Sequence, residues 1–215
     1  MTEAAALARS TTLRLHYLTG LIVLVFVAQH LLVHLFALAG SDAHNAALKL
    51  VQLGYRNPVV EPLLVLALLF QIGLGLRLAF RRLREPGKSG WAKWQIASGF
   101  YLALFLFNHT TAALMTRFVG HLDTNFWWAS GPLHHPKMQA VFYPYYGLAV
   151  MAVAVHIGAF AHFRGNKLWA RIAPVAGALL VLAYWASFGG WLYPVAMKPE
   201  YRAYYDWLLA GIGMG

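Results

Sequence analysis

Five runs of apolar residues, at about 16–39, 59–81, 94–117, 140–163 and 171–193, dominate the sequence. Each is long enough to cross roughly 30 Å of hydrocarbon at about 1.5 Å per helical residue. Inside hydrocarbon an unpaired backbone group finds no water, so such runs must be helices that close their hydrogen bonds within the segment. Composition agrees, since 60% of residues are hydrophobic and 11% charged, too apolar for a surface in water. The expected fold is all-α: one membrane domain over residues 1–215, an integral membrane bundle of five transmembrane helices.

The first run has signal-peptide features, with Arg9 and Arg14 before it and Ala37-Leu38-Ala39 at its end. Its length and its Gln29, His30 and His34 argue for a retained helix. Pro58 and Pro62 stand where a helix tolerates proline, at the opening of the second run, and Arg84 to Gly90 is a turn-forming linker. Two segments, 43–54 and 200–210, mix apolar and polar residues at helical spacing and are expected to be short interfacial helices. No internal repeat is evident.

Lys and Arg set the expected orientation. Arg9, Arg14, Arg77, Arg81, Arg82, Arg84, Lys88, Lys93, Arg164, Lys167 and Arg171 fall on one side of the spans. Lys49, Arg56, Arg117, Lys137, Lys198 and Arg202 fall on the other. The positive-inside rule puts the larger set, and the N-terminus, in the cytoplasm and the C-terminus outside. Trp91, Trp94, Trp127, Trp128, Trp169 and Trp191 lie near span ends, where indole rings favour the headgroup region. The net charge of +10 comes without a basic, aromatic-interleaved stripe, so it speaks for anionic lipid or a partner protein rather than nucleic acid.

With no cysteine in the chain, an iron–sulfur cluster, a c-type haem and thiol chemistry are all excluded. Gly73-Leu74-Gly75 lies inside an apolar run and suits close helix packing, not dinucleotide binding. A transporter is disfavoured by a single acidic residue in the spans and by the absence of paired, broken half-helices.

Four histidines lie well inside spans, where an ionisable side chain is costly and marks function or faces the bundle interior. His30 is sixteen residues beyond Arg14 and His109 sixteen beyond Lys93, so each lies about 24 Å outward along its helix. Two neutral imidazoles at one depth on separate helices are what a six-coordinate haem b requires. His34, one turn further out than His30, is either an alternative ligand or a contact for a haem propionate. His156, eight residues from Arg164, belongs to an inner layer about 12 Å from that side. Ala28, Thr110, Ala112, Ala113, Gly147 and Gly158 are small enough to admit a flat macrocycle. Interhelical hydrogen bonding alone is the competing account of these histidines. His16 and His162 read as interfacial. His121, Asp123, His134 and His135 read as a loop metal site or as solvated and propionate-facing groups. Glu61, the one carboxylate in a span, suits proton exchange with a quinol, unless it reaches outer water or pairs with Arg56.

The order and spacing of Arg14-Leu15-His16 with Gly20, Gln29-His30-Leu31, Gly40 to Asn45, Glu61, Leu69-Phe70-Gln71 through Phe80, Asn108-His109 and Val155-His156 form a pattern. It resembles the diheme cytochrome b subunit of succinate dehydrogenases and fumarate reductases, the five-helix membrane anchor type, over most of residues 12–165. The resemblance implies a multi-pass subunit of the bacterial inner membrane that passes electrons between a quinone and soluble iron–sulfur and flavoprotein subunits at the cytoplasmic face. It implies an outer haem between His30 and His109 and gives His156 as an inner-haem ligand. Glu61 matches a carboxylate of the outer quinone site. The chain departs from the family at Gln71, where the second-helix ligand falls, because an amide is a poor ligand for haem iron. One haem b is therefore expected, or two if His156 finds another partner. The alternative is a haem-free or single-haem accessory subunit of a larger membrane complex. The outer segment from Asn125 to His135 and the tail after Pro194 lie outside the resemblance and read as docking surfaces.

Overall fold

The computed structural model describes residues 3–213, with side chains from residue 11 onward. The side chain of Arg9, counted with the inner basic set, lies outside the described residues. Eight α-helices and one 3-10 turn follow in chain order, with no strand among the described residues. They are α1 (Glu3–Leu35), the turn (Phe36–Ala39), α2 (Ser41–Tyr55), α3 (Val60–Leu83), α4 (Gly90–Phe118), α5 (Phe126–His134), α6 (Gln139–Phe163), α7 (Lys167–Phe188) and α8 (Pro199–Gly211).

Four segments are long and apolar enough to cross a bilayer: Thr11–Ala39, Val60–Leu83, Gln139–Phe163 and Lys167–Phe188. That is the character of a multi-pass membrane protein. Their large apolar side chains turn outward, among them Val25, Leu66, Val175 and Leu179, which is stable only against lipid. Helix α4 is 29 residues long but is not one of the four, and its polar run Asn108-His109-Thr110-Thr111 dilutes its hydropathy.

Helix ends follow local chemistry. Ser89 caps α4 by accepting from Ala92 N at 3.3 Å, and Asn166 caps α7 by accepting from Trp169 N at 3.1 Å, each satisfying one of the free N–H groups of a first turn. The fifth run was expected to reach residue 193, yet α7 stops at Phe188. Gly189-Gly190 explains the early end, because Gly190 takes a φ of +78°, a left-handed conformation that terminates helices. Interfacial helices were expected at 43–54 and 200–210, and α2 and α8 stand there.

The most extensive packing joins α6 to α7, with α4 against α6 and α3 between α1 and α4. Small residues set these distances. A Cβ on Gly177 would stand 2.4 Å from Ala154 Cβ, and one on Gly147 would stand 2.7 Å from Trp185 Cζ2. A Cβ on Gly158 would meet Ala170 O at 3.0 Å. Gly147 and Gly158, expected to make room for a macrocycle, instead bring α6 and α7 together.

The segment from Asn125 to His135 is not a loop. Asn125 accepts from Trp127 N at 3.0 Å and starts α5, which the tail helix α8 then covers. Tyr201 donates to Asp123 O at 2.9 Å, Tyr205 donates to Trp128 O at 2.5 Å, and the Tyr204 and Thr116 hydroxyls bond at 2.8 Å. The two segments read as docking surfaces dock on each other.

Candidate functional site

Helix α1 carries His30 and His34 one turn apart, and the 3-10 turn folds the chain back so that α2 lays His44 beside them. His34 Nδ1 is 3.0 Å from His44 Nε2, and His34 Nε2 is 3.1 Å from His30 Nε2. His44 Nδ1 is 3.3 Å from Asn45 Oδ1, which also accepts from Phe126 N at 2.9 Å. That backbone N–H can only donate, so it fixes the Asn45 oxygen and with it the proton order of the whole chain. His44 donates from Nδ1 to Asn45, His34 donates from Nδ1 to His44, and His30 donates from Nε2 to His34. Three imidazoles are thereby satisfied in one directional chain.

Helix α4 brings His109 to the same level, its ring centroid 6.0 Å from that of His30 with the planes at 66°. A metal–imidazole bond is about 2 Å, so two rings on opposite sides of one ion stand about 6 Å apart centre to centre. Phe26 stacks on His30 at 5.8 Å and Phe105 on His109 at 5.2 Å, while Trp128 from α5 approaches His109 at 5.4 Å. The donor set, two imidazoles of opposed helices in an aromatic wall, fits a b-type haem. Were a haem held here, His30 Nε2 would give up its bond to His34 and carry its proton on Nδ1, while His34 would keep His44 as a partner.

Comparison with known protein families, with curated proteins and with solved structures yields no match.

Glu61 pairs with Arg117 rather than Arg56 and stays about 20% exposed. Both Arg117 guanidinium nitrogens reach its carboxylate, Nη2 to Oε2 at 3.0 Å and Nη1 to Oε1 closer still, in the two-pronged geometry that arginine favours. Arg56 instead pairs with Asp123 at 2.6 Å. The loop residues do not converge: His134 Nε2 bonds Phe188 O at 2.9 Å and His135 Nε2 bonds Asp206 at 3.1 Å. No group of three or more His, Cys, Asp or Glu side chains that could hold a metal ion occurs among the described residues.

The inner layer contains more than the sequence suggested. Ser98 Oγ lies 3.1 Å from His156 Nδ1 and 3.2 Å from Gln95 O. Its hydroxyl donates to the carbonyl and accepts from His156, which leaves the lone pair of His156 on Nε2. Gln71 Oε1 is 2.5 Å from Thr19 Oγ1, so the amide is engaged between α1 and α3. His16 stands within α1, five residues into the apolar segment Thr11–Ala39, and its Nδ1 is buried without a hydrogen-bond partner. His162 stacks on Trp91 at 5.1 Å, in keeping with an interfacial role.

His44 was the residue that spacing alone missed. His44 is 1% exposed, and burial holds its pKa below the usual 6.5 while the Asn45 bond opposes the shift. The unfolded chain therefore takes up this proton first. Stability is complete above about pH 6.5 and is lost as the pH falls through that value toward the folded pKa. Thermal unfolding in detergent across this window should show a smaller acid slope for His44→Gln than for the unaltered chain, and equal slopes would remove His44 from the account.

Proposed function

We propose that the chain is a haem b-binding membrane anchor that passes electrons between a membrane quinone and soluble flavin and iron–sulfur subunits, in the manner of succinate dehydrogenases and fumarate reductases. The 6.0 Å separation of the His30 and His109 rings is the observation that carries this reading. Bound haem b supplies one-electron redox chemistry at that level. In this reading α1, α3, α4, α6 and α7 are five spans of a bacterial inner membrane protein, with the N-terminus cytoplasmic and the C-terminus outside. The basic segment from Arg77 to Lys93 meets the soluble subunits. Arg82 is partly fixed there, donating to Gln95 at 3.0 Å and covering the Phe163 ring, while its neighbours Arg81 and Arg84 stay exposed.

The residues of the chain divide the work. His30 and His109 hold the group from two helices, with Phe26 and Phe105 fixing the ring planes. Glu61, at the outer end of α3, is held by Arg117 where a quinol reaching the outer leaflet would release protons. Glu61→Gln is expected to slow quinol oxidation roughly 10- to 100-fold, the scale of a lost general base, with haem content unchanged. A turnover equal to that of the unaltered chain would take Glu61 out of the proton path.

A second reading, a haem-free accessory subunit of a larger membrane complex, is favoured by the His30–His34–His44 chain, which is complete without a cofactor. A haem-to-protein ratio on the purified chain separates the two. About one or two per chain supports the proposal, and a ratio near zero in intact protein supports the accessory role.

A further inference from the structure

The ion pairs among the described residues all lie at one end of the bundle: Arg56 with Asp123, Arg117 with Glu61 and His135 with Asp206. At the opposite end Arg14, Arg82 and Arg164 have no carboxylate partner among the described residues, and two of them rest on aromatic rings instead. Phe160 and Phe163 are three residues apart on α6 and so share one face. The Arg82 guanidinium, from α3, lies 4.7 Å from the centre of the Phe163 ring, and that of Arg164 lies 5.9 Å from the centre of Phe160. Tyr17 of α1 stacks on Phe160 at 6.0 Å, and Arg14 follows it three residues inward on the same face of α1. Three helices thus bring three arginines to one aromatic floor.

This floor lies at a membrane boundary, because the apolar span Gln139–Phe163 ends here and the Tyr17, Phe160 and Phe163 rings are all exposed. A ring face attracts a guanidinium without neutralising its charge. Arg82 gives one N–H to Gln95 at 3.0 Å and keeps the rest of its five donors. Guanidinium forks bind phosphate oxygens in pairs, and exposed rings beside them suit the first methylenes of an acyl chain. An acidic protein surface would match the charge but would have nothing to lay against the rings.

We propose that the cleft between the inner ends of α1, α3 and α6 is a binding site for one anionic phospholipid. Arg82 and Arg164 hold its phosphate, Arg14 stands at the rim, and its chains lie on Tyr17, Phe160 and Phe163. The site is apart from the histidine layers and does not depend on haem. To test it, the purified full chain is stripped of native lipid in detergent and titrated with phosphatidylglycerol, phosphatidylcholine or inorganic phosphate, with binding read by native mass spectrometry and by the thermal midpoint. One phosphatidylglycerol per chain should bind saturably and raise the midpoint, and phosphatidylcholine should bind much more weakly. Arg82→Gln with Arg164→Gln should weaken phosphatidylglycerol roughly 25-fold, about 5-fold for each cation. Lys167→Gln with Arg171→Gln, which removes two exposed charges from the start of α7, should have a clearly smaller effect. Equal losses in the two double variants would mean a diffuse basic surface and would overturn the site. Phosphatidylcholine binding as tightly as phosphatidylglycerol would also overturn it, as would inorganic phosphate matching the lipid. Should the Gln pair not fold, Arg82→Lys with Arg164→Lys keeps the charge and loses the fork; it should weaken binding several-fold, and unchanged affinity there would refute the phosphate cradle.

Discussion

On the proposed reading, His109→Ala abolishes the outer b-type centre: the haem ratio falls by about one per chain, because a single remaining imidazole leaves the iron without its second axial ligand. The loss is expected to be near complete, since the other groups around the ring are the apolar Phe105 and Trp128. His30→Ala should behave alike, whereas His34→Ala should leave the ratio close to its starting value. His34 has a partner in His44 that does not depend on iron. A full haem spectrum in His109→Ala would refute the assignment of α4 as a ligand helix. Loss in His34→Ala but not in His30→Ala would move the α1 ligand outward by one turn. The two results separate ligation from packing, because all three changes remove an imidazole from the same aromatic wall.

The pairing of His30 with His109 was legible because depth in a membrane can be counted. A helix rises by a fixed amount per residue, and basic anchors mark the zero of that scale. The same count put His16 near the inner end of the first span, and His16 stands five residues into the apolar segment Thr11–Ala39. It had no means of placing His44, whose contact with His34 depends on the turn Phe36–Ala39 reversing the chain. Glycines were the least legible residues. Gly147 and Gly158 sit on the same helix as His156, yet they face α7, whereas Gly20, Gly75 and Gly99 face polar side chains. Nothing in a uniformly apolar run separates these faces, so the sequence pattern cannot assign them. Helix α5 was hidden for a different reason: its nine residues include Gly131 and Pro132, which read as a loop, and it is held by an Asn125 cap and by the tail laid over it.

That tail yields the second large effect. Gly131→Ala should detach α8, because a Cβ there would stand 1.9 Å from Tyr205 Cε2 and 2.7 Å from Cδ2. The ring cannot swing aside cheaply; Tyr205 is 4% exposed and its hydroxyl donates to Trp128 O at 2.5 Å. Overpacking costs about 1–3 kcal/mol and the lost hydrogen bond about 1 more, so the expected destabilisation is about 2–4 kcal/mol. It should appear as a lower thermal midpoint in detergent and as faster tryptic cleavage after Arg202, which is exposed but protected by its helix. Combining Gly131→Ala with Tyr205→Leu removes the clash and should recover part of the loss. The tail also reaches the candidate site at one remove. Trp128 is held by its Nε1 donating to Thr116 Oγ1 at 2.8 Å, the same oxygen that meets Tyr204, and its ring lies against His109. Releasing α8 should therefore loosen Trp128 and, on the proposed reading, shift the spectrum of a haem held by His30 and His109 while leaving the amount bound unchanged. If the variant melts and is cleaved like the unaltered chain, α8 is not seated on α5. If it melts early with an unshifted spectrum, the tail stabilises the outer end of the bundle without tuning the histidine pair.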